Sequence, residues 1–593
     1  MKMLKYLRII VAVIMLAVVT LFFFDWTHVF LGTARDEALT AADPISKMTV
    51  ETGSWPEKIQ FIPALCRHAF WIVLGIVGVT FLFGRIYCSV ICPLGIFQDF
   101  VAWIAKRVHR GKKTYLYKKP LPWLRWGVLV LSVGAFCLGF GALLCLVEPY
   151  SMYGRIANGI FRPIYVLFNN GVLVSDSASG SMSFSTLSLS TVFLSLGGFL
   201  VAISSFFVIG ILAWRGGRTY CNTICPVGTF LGIFSRFAIF RVRLDSEKCK
   251  SCGMCAKKCK ASCLDARGKK VDTSRCVDCF NCLGTCNFDA LSYKVGNPFG
   301  KQTVIQIETG TDSEKKLDPK PEKPEDKARA RREFLITSAS MAASVPVIAG
   351  AAAAVSNTVM VQPEPDKIYK TGQHAWKRTN PIAPPGALSY EHLLEHCTAC
   401  HLCIAKCPQH ILKPSLVEYG LKGMFVPVVD FTSSFCNYDC TICSEVCPNG
   451  AIDILGMARK RGVEIPESKA ERAELMRKEK NYAQMGRVVF VKENCVVPVD
   501  GTFCGACDEH CPTKAVSMVP YGDPEKGLTI PQIDESICIG CGGCESICPA
   551  RPHKAIYVEG CPTQEQRAEF KEAEVISADE VQDKTENMDD WLF

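Results

Sequence analysis

Cys249, Cys252, Cys255 and Cys259 stand at the spacing C-x2-C-x2-C-x3-C, and Cys276, Cys279, Cys282 and Cys286 repeat it. Four more quartets follow: Cys397/Cys400/Cys403/Cys407, Cys436/Cys440/Cys443/Cys447, Cys495/Cys504/Cys507/Cys511 and Cys538/Cys541/Cys544/Cys548, each closing in Cys-Pro. Three thiolates from one tight loop, joined by a fourth from elsewhere, form the donor set of a [4Fe–4S] cubane. Zinc also takes four cysteines, but zinc ribbons bring separated Cys-x2-Cys pairs rather than runs of quartets. The six quartets therefore predict six [4Fe–4S] clusters, with iron held through these cysteines. In two-cluster ferredoxins the fourth cysteine of each run serves the other cluster. That rule joins Cys249, Cys252 and Cys255 to Cys286, and Cys276, Cys279 and Cys282 to Cys259. Neither Cys259 nor Cys286 is followed by proline, a departure that moves no ligand.

Cys397-Thr-Ala-Cys400-His401 also spells the c-type haem attachment motif. A haem there would orphan Cys403 and Cys407 and strip ligands from two clusters, so His401 reads as an ordinary loop residue. A second cysteine pattern is an internal repeat. Gly84-Arg-Ile-Tyr-Cys88 to Cys92-Pro-Leu-Gly-Ile-Phe97 recurs as Gly217-Arg-Thr-Tyr-Cys221 to Cys225-Pro-Val-Gly-Thr-Phe230. Two thiols at Cys-x3-Cys-Pro spacing form a redox disulfide, bind a soft metal such as copper, or sit as packed thiols. Their duplication disfavours the last reading and leaves the first two open. Cys66, Cys137, Cys145, Cys263 and Cys561 have no such partner and read as small buried hydrophobes.

The elements that must position these residues divide by composition. The apolar runs lie almost wholly in the first 215 residues, ahead of the first quartet. Leu4–Phe24, His68–Phe83, Trp126–Val147 and Thr191–Trp214 approach the roughly 20 residues that a bilayer span takes. The loop from Lys106 to Arg125 is basic with no acid, whereas Asp25 to Leu65 is acidic. Basic loops stay inside, so both ends of the four-span unit face the cytoplasm. The net charge of +9 is explained by this topology, not by nucleic acid. The duplicated helix pairs suggest a pseudo-twofold axis along the membrane normal. After a charged, Pro-rich linker, Arg331-Arg332-Glu333-Phe334-Leu335 and a weakly apolar run read as a twin-arginine export signal. The expected fold is an α-helical membrane domain of four spans, with a fifth at the signal, joined to α+β ferredoxin-like [4Fe–4S] domains. Its divisions are 1–244 (membrane), 245–295 (cytoplasmic two-cluster), 296–330 (linker), 331–360 (signal or fifth span), 361–563 (exported four-cluster) and 564–593 (acidic tail).

On these motifs, residues 1–295 resemble the NapH/MauN family of membrane polyferredoxins, and residues 328–560 resemble NapG, an exported four-cluster partner; the chain looks like their fusion. The resemblance implies nested pairing of the exported quartets. Cys397, Cys400 and Cys403 would then take Cys548, and Cys538, Cys541 and Cys544 would take Cys407. Likewise Cys436, Cys440 and Cys443 would take Cys511, and Cys495, Cys504 and Cys507 would take Cys447. It also implies a quinol dehydrogenase of the bacterial inner membrane, passing electrons to a periplasmic reductase or cytochrome, with nitrate the usual final acceptor. Relatives in metal-centre assembly supply the alternative, in which Cys88, Cys92, Cys221 and Cys225 handle copper. No histidine lies well inside a span; His28 and His68 flank the outer ends of the first two. With no other carrier visible in the bilayer, a mobile quinone is the expected agent. Glu148, read as a solvated interfacial acid or a quinol proton acceptor, and His68 are the candidates for its site.

Overall fold

The computed structural model describes residues 2–24, 58–67, 69–109, 114–137, 141–165, 196–295 and 371–564, apart from 433, 461, 467 and 523. The linker, the twin-arginine segment, His28, His68 and the acidic tail beyond Gln564 lie outside the described residues.

Helix α1 (Lys2–Phe22) leads to α2 (Phe61–Cys66), α3 (Phe70–Phe83), α4 (Tyr87–Val90) and α5 (Pro93–Val108). Then come α6 (Pro122–Cys137), α7 (Gly141–Val147), α8 (Pro149–Ile156), α9 (Leu196–Gly216), α10 (Thr219–Thr223) and α11 (Pro226–Ser235). The four expected spans are not all found. Among the described residues, Met3–Phe22 and Gly197–Gly216 are long and apolar enough to cross a membrane, with mean hydropathy 2.3 and 2.1. The second expected span is a helix of 14 residues, separated from α2 at Arg67. The third is two helices, α6 and α7, on either side of residues 138–140, which lie outside the described residues.

Three helices start on one device. Cys92-Pro93, Glu148-Pro149 and Cys225-Pro226 each place proline in the first helical turn, where its missing N–H costs nothing and its fixed φ suits the helix. Gly84 and Gly217 end the preceding helices at φ of 77° and 69°, a region that side chains with a Cβ avoid. The repeat in the sequence is thus a repeat in structure: apolar helix, glycine turn, short helix, cysteine cap, helix.

Strand β1 (Phe240–Leu244) pairs antiparallel with β4 (Leu291–Val295), Phe240 opposite Val295 and Leu244 opposite Leu291. Together they bracket both quartets of the 245–295 module, with a small pair, β2 (Leu264–Asp265) and β3 (Lys270–Val271), between them. In the C-terminal module β5 (Leu412–Pro414) pairs with β6 (Pro427–Val429), β8 (Val516–Pro520) with β9 (Thr529–Ile533), and β7 (Gly486–Phe490) with β10 (Ile556–Gly560).

The two modules sit at opposite ends of α1. Near its start Arg8 bonds Asp99 at 3.0 Å, and Asp99 also holds Arg218 at 2.9 Å and Lys260 of the first module at 3.5 Å. Just past its end, Lys406 of the second module donates to the Phe24 carbonyl at 3.0 Å. At 1.5 Å per residue, Arg8 and Phe24 are about 24 Å apart. Burial opposes the Asp99 charge, but Arg218, Lys260 and Arg8 hold its carboxyl well below the usual carboxylate range.

Candidate metal centres

The thiols of the C-terminal module gather in a different order from the one expected. Cys447 lies within electrostatic reach of Cys397, Cys400 and Cys403, and Cys407 within reach of Cys436, Cys440 and Cys443. Cys548 stands with Cys495 and Cys507, and Cys511 with Cys541 and Cys544. The first quartet therefore exchanges its fourth cysteine with the second, and the third with the fourth. This grouping departs from the nested pairing that the resemblance implied, Cys548 with Cys397 and Cys447 with Cys495. Each exchange makes a two-cluster ferredoxin unit of the ordinary kind. The two units join where the Cys436 N–H donates to the Cys541 carbonyl at 2.9 Å. The resulting order of centres is Cys397/400/403/447, Cys436/440/443/407, Cys538/541/544/511 and Cys495/504/507/548.

These sets fit a cubane. Every described cysteine is a free thiol. Cys495, Cys504, Cys507 and Cys548 line one cavity whose other walls include Phe490, Val496, Pro531 and Ile556, a dry apolar shell. Backbone N–H groups reach the sulfurs: Ala399 N to Cys397 Sγ at 3.4 Å, Ala515 N to Cys511 Sγ at 3.3 Å and Ala555 N to Cys548 Sγ at 3.4 Å. Such donors tune a cluster's potential. Among the described residues no three His, Cys, Asp or Glu side chains close on a point that would hold a single ion. The thiols surround a space instead. A [4Fe–4S] cluster bound there supplies one-electron storage; the chain supplies ligands, spacing and a water-poor surround.

In the first module Cys259, Cys276, Cys279 and Cys282 line a second cavity with Val242, Leu264, Val277 and Phe280, as the spacing expected. Cys249, Cys252 and Cys255 lie together, and Cys286 packs on the same core. Cys263 is not the isolated thiol it was taken for: it lines that cavity, with its Sγ 3.6 Å from Cys259 Sγ. The four-residue spacing between Cys259 and Cys263 is the sequence signal for this contact.

Where the second module meets the helical unit, the first quartet is the contact. Cys145 Sγ lies 3.5 Å from the Cys397 carbonyl oxygen. A Cβ at Gly154 would overlap the Cys400 carbonyl oxygen, so that glycine is required for the close approach. Cys145, Val201, Ala399 and Phe425 form the core of the junction, and Arg155 stands over the Phe425 ring at 5.9 Å. Cys66 and Cys145 lie within electrostatic reach of Cys397, so they too have partners. His401 is 4% exposed, and its Nε2 donates to the Phe425 carbonyl at 3.2 Å. Burial, with the Arg155 charge, pushes its pKa down to about 3. It is a neutral junction residue, neither an ordinary loop residue nor a haem ligand.

Glu148 is not solvated. It is 1% exposed and caps α8, one carboxylate oxygen accepting from Tyr150 N at 2.9 Å and the other from Ser151 N. A carboxylate with both oxygens engaged at a helix start has a structural occupation. Glu148→Ala is expected to cost about 0.5–2 kcal/mol, read as a fall in thermal midpoint in detergent. If quinol feeds the clusters, as proposed below, Glu148→Gln is expected to leave that reduction unchanged. Lost reduction with intact stability would make Glu148 a proton acceptor instead.

Residues 68–111 and 198–245 match the family described as 4Fe-4S binding domain, and residues 502–551 match the 4Fe-4S dicluster domain. This chain carries ferredoxin-type 4Fe-4S domains. Several curated proteins are similar to parts of the chain. An uncharacterized protein of Methanocaldococcus jannaschii is 40% identical over 74 residues, covering 12% of this chain and 29% of that protein. YccM of Escherichia coli is 24% identical over 248 residues, 42% of this chain and 61% of YccM. The methylamine utilization ferredoxin-type protein MauM of Methylobacillus flagellatus is 29% identical over 177 residues, 28% of this chain and 63% of MauM. The chain thus spans less than two thirds of the length of each of these relatives. No solved structure matches it.

Proposed function

We propose that this ferredoxin-type protein is a multi-pass relay of the bacterial inner membrane, of the NapH–NapG kind. It takes electrons from quinol and passes them through six [4Fe–4S] clusters toward a periplasmic reductase such as nitrate reductase. The observation that carries the reading is the seating of Cys397 and Cys400 directly on the helical unit, with the other module at the far end of the same helix. One contiguous apolar core includes Cys255, Cys259, Cys279 and Cys282 of the first module, Cys88, Cys92, Cys221, Cys225 and Cys66 of the helical unit, and Cys400 of the second. Electrons need such a packed, water-poor route; a metal chaperone does not need four further cysteine quartets leading away from it.

A lipid surround is supported by the outer faces of the helices. Leu4, Ile10, Ile14, Trp71, Trp123, Val130, Leu131, Phe207 and Ile211 are all exposed, an apolar surface larger than soluble monomers show. Exposed Trp71, Trp103 and Trp123 suit the interfacial belt.

The test is low-temperature EPR on full-length protein purified anaerobically in detergent. Adding a reduced quinol analogue is expected to bring up reduced [4Fe–4S] signals. If no quinol reduces clusters that dithionite still reduces, the relay is not quinol-fed.

A further inference from the structure

The two Cys-x3-Cys-Pro loops come together at the pseudo-twofold axis. Arg85 Nη2 crosses to the Cys221 carbonyl at 3.1 Å, and Arg218 Nη1 crosses to the Cys88 carbonyl at 2.5 Å. Gly95 lies against the Cys88 carbonyl and Arg218, and Gly228 against the Cys221 carbonyl and Arg85. These crossing arginine and glycine contacts in one repeat have their counterparts in the other. Cys88, Cys92, Cys221 and Cys225 are at most 5% exposed, and each lies within electrostatic reach of the other three.

We propose that Cys88, Cys92, Cys221 and Cys225 together hold one further all-thiolate iron–sulfur cluster, shared by the two repeats and lying between the two ferredoxin modules. Each matched 4Fe-4S segment brings two of these cysteines, so neither repeat completes a four-thiolate set alone. The pair of repeats does.

Three observations separate a cluster from the other occupants of such loops. First, all four sulfurs receive an N–H donor. Gln98 Nε2 reaches Cys221 Sγ at 3.2 Å, Gly228 N reaches Cys225 Sγ at 3.3 Å, Arg85 Nη2 reaches Cys88 Sγ at 3.9 Å, and Gly95 N serves Cys92. Donors converging on four sulfurs suit thiolates. Second, Arg85 and Arg218 are fully buried. Arg218 has Asp99, a carboxylate already shared with Arg8 and Lys260. The side-chain hydrogen bonds of Arg85 go to Asn222 Oδ1, two carbonyls and the Cys88 sulfur, and its Nε has no partner among the described residues. The buried Asp278 carboxylate lies within electrostatic reach of Arg85, but none of the Arg85 side-chain hydrogen bonds goes to it, and a buried guanidinium so weakly paired is costly. A four-thiolate cluster is a net anion and supplies the charge; a disulfide is neutral and does not. Third, these thiols do not converge on a single-ion point, which a lone copper or zinc held by three or more of them would require.

The site touches the first module directly: Asn222 donates to the Ala261 carbonyl at 2.9 Å, and Arg85 to the Ser274 carbonyl at 3.1 Å. On the other side Tyr220, next to Cys221, donates to the Val147 carbonyl at 2.5 Å, one residue before Glu148. A cluster here would be reduced by one electron from a neighbouring centre and reoxidised by passing that electron on, with no bond made or broken. The inference deepens the relay reading, but cluster content tests it without any quinol.

Iron and acid-labile sulfide on anaerobically purified full-length protein are expected to give seven clusters per chain, one more than the quartets account for. Cys88→Ser and Cys221→Ser, in opposite repeats, are each expected to remove the same single cluster and the same EPR signal. Loss of different signals, or six clusters in the wild type with copper bound or a disulfide at these loops, would overturn the proposal. Should the serine variants fail to fold, Gln98→Leu, which copies the Leu231 of the second repeat, keeps every ligand. It is expected to keep seven clusters and lower the midpoint potential of one signal, since a donor to one sulfur is gone; no shift in any signal would count against the site.

Discussion

Cys447→Ser is expected to abolish the same EPR signal as Cys397→Ser and, on the proposed function, to disconnect the C-terminal clusters from quinol while dithionite still reduces them. The reasoning is geometric. Cys447 stands with Cys397, Cys400 and Cys403, and that centre is the one seated against Cys145 and Gly154 of the helical unit. Loss of outer-shell partners already costs metal sites roughly 10–100-fold in affinity or activity; loss of a ligand at the junction is expected to exceed that in the proposed quinol-driven reduction of the remaining three C-terminal centres. Cys548→Ser provides the contrast. It belongs to the set with Cys495 and Cys507, at the far end of the row, so it is expected to spare reduction of the other three C-terminal centres. Under nested pairing the two variants would exchange phenotypes, so one pair of titrations decides between the arrangements.

Asp99→Asn is expected to give the largest loss of stability from a single non-ligand change. Asp99 is the shared counter-ion of Arg8, Arg218 and Lys260, with side-chain exposures of 6%, 0% and 12% for the three cations. It thereby ties α1, α5, the second repeat and the first ferredoxin module together. Removing one partner of a buried ion pair costs about 3–5 kcal/mol, because the other charges are left buried and unpaired. The thermal midpoint of the detergent-solubilised protein checks it, with Asp245→Asn as control. Asp245 pairs with Lys248 at 4.0 Å on an exposed surface, where such pairs contribute little. The sign with pH follows from the lowered carboxyl of Asp99. Its stabilisation is complete above the unfolded carboxylate value of about 3.9 and is lost only as pH falls below that toward the folded value.

The quartets were legible in the sequence because a cubane's first three ligands come from one tight loop, where covalent spacing alone restricts what the thiols can reach. The tandem repeat likewise announced its own symmetry. Spacing also paired Cys259 with Cys276, Cys279 and Cys282, since both runs lie within one short module. It could not choose between Cys447 and Cys548 as the partner of Cys397. Closing a loop grows costlier only slowly with length, about 0.6 kcal/mol per doubling, so chain separation barely distinguishes them; packing of the loop helices does.

The same limit explains the other differences. Hydropathy found apolar stretches but not the turn at Arg67 that ends α2 ahead of α3. Glu148 read as a solvated acid until α8 and the helical unit enclosed it. His401 read as a loop residue until Phe425 and Arg155 closed over it. Cys66, Cys145 and Cys263 looked isolated because their neighbours come from distant parts of the chain. Sequence determined which residues can ligate iron, since that depends on residue type and local reach. Tertiary structure alone decided which fourth thiol joins each C-terminal centre and how the centres line up across the helical unit. Those outcomes depend on which buried surfaces fit together, and complementarity between remote segments leaves no periodic trace in a single sequence.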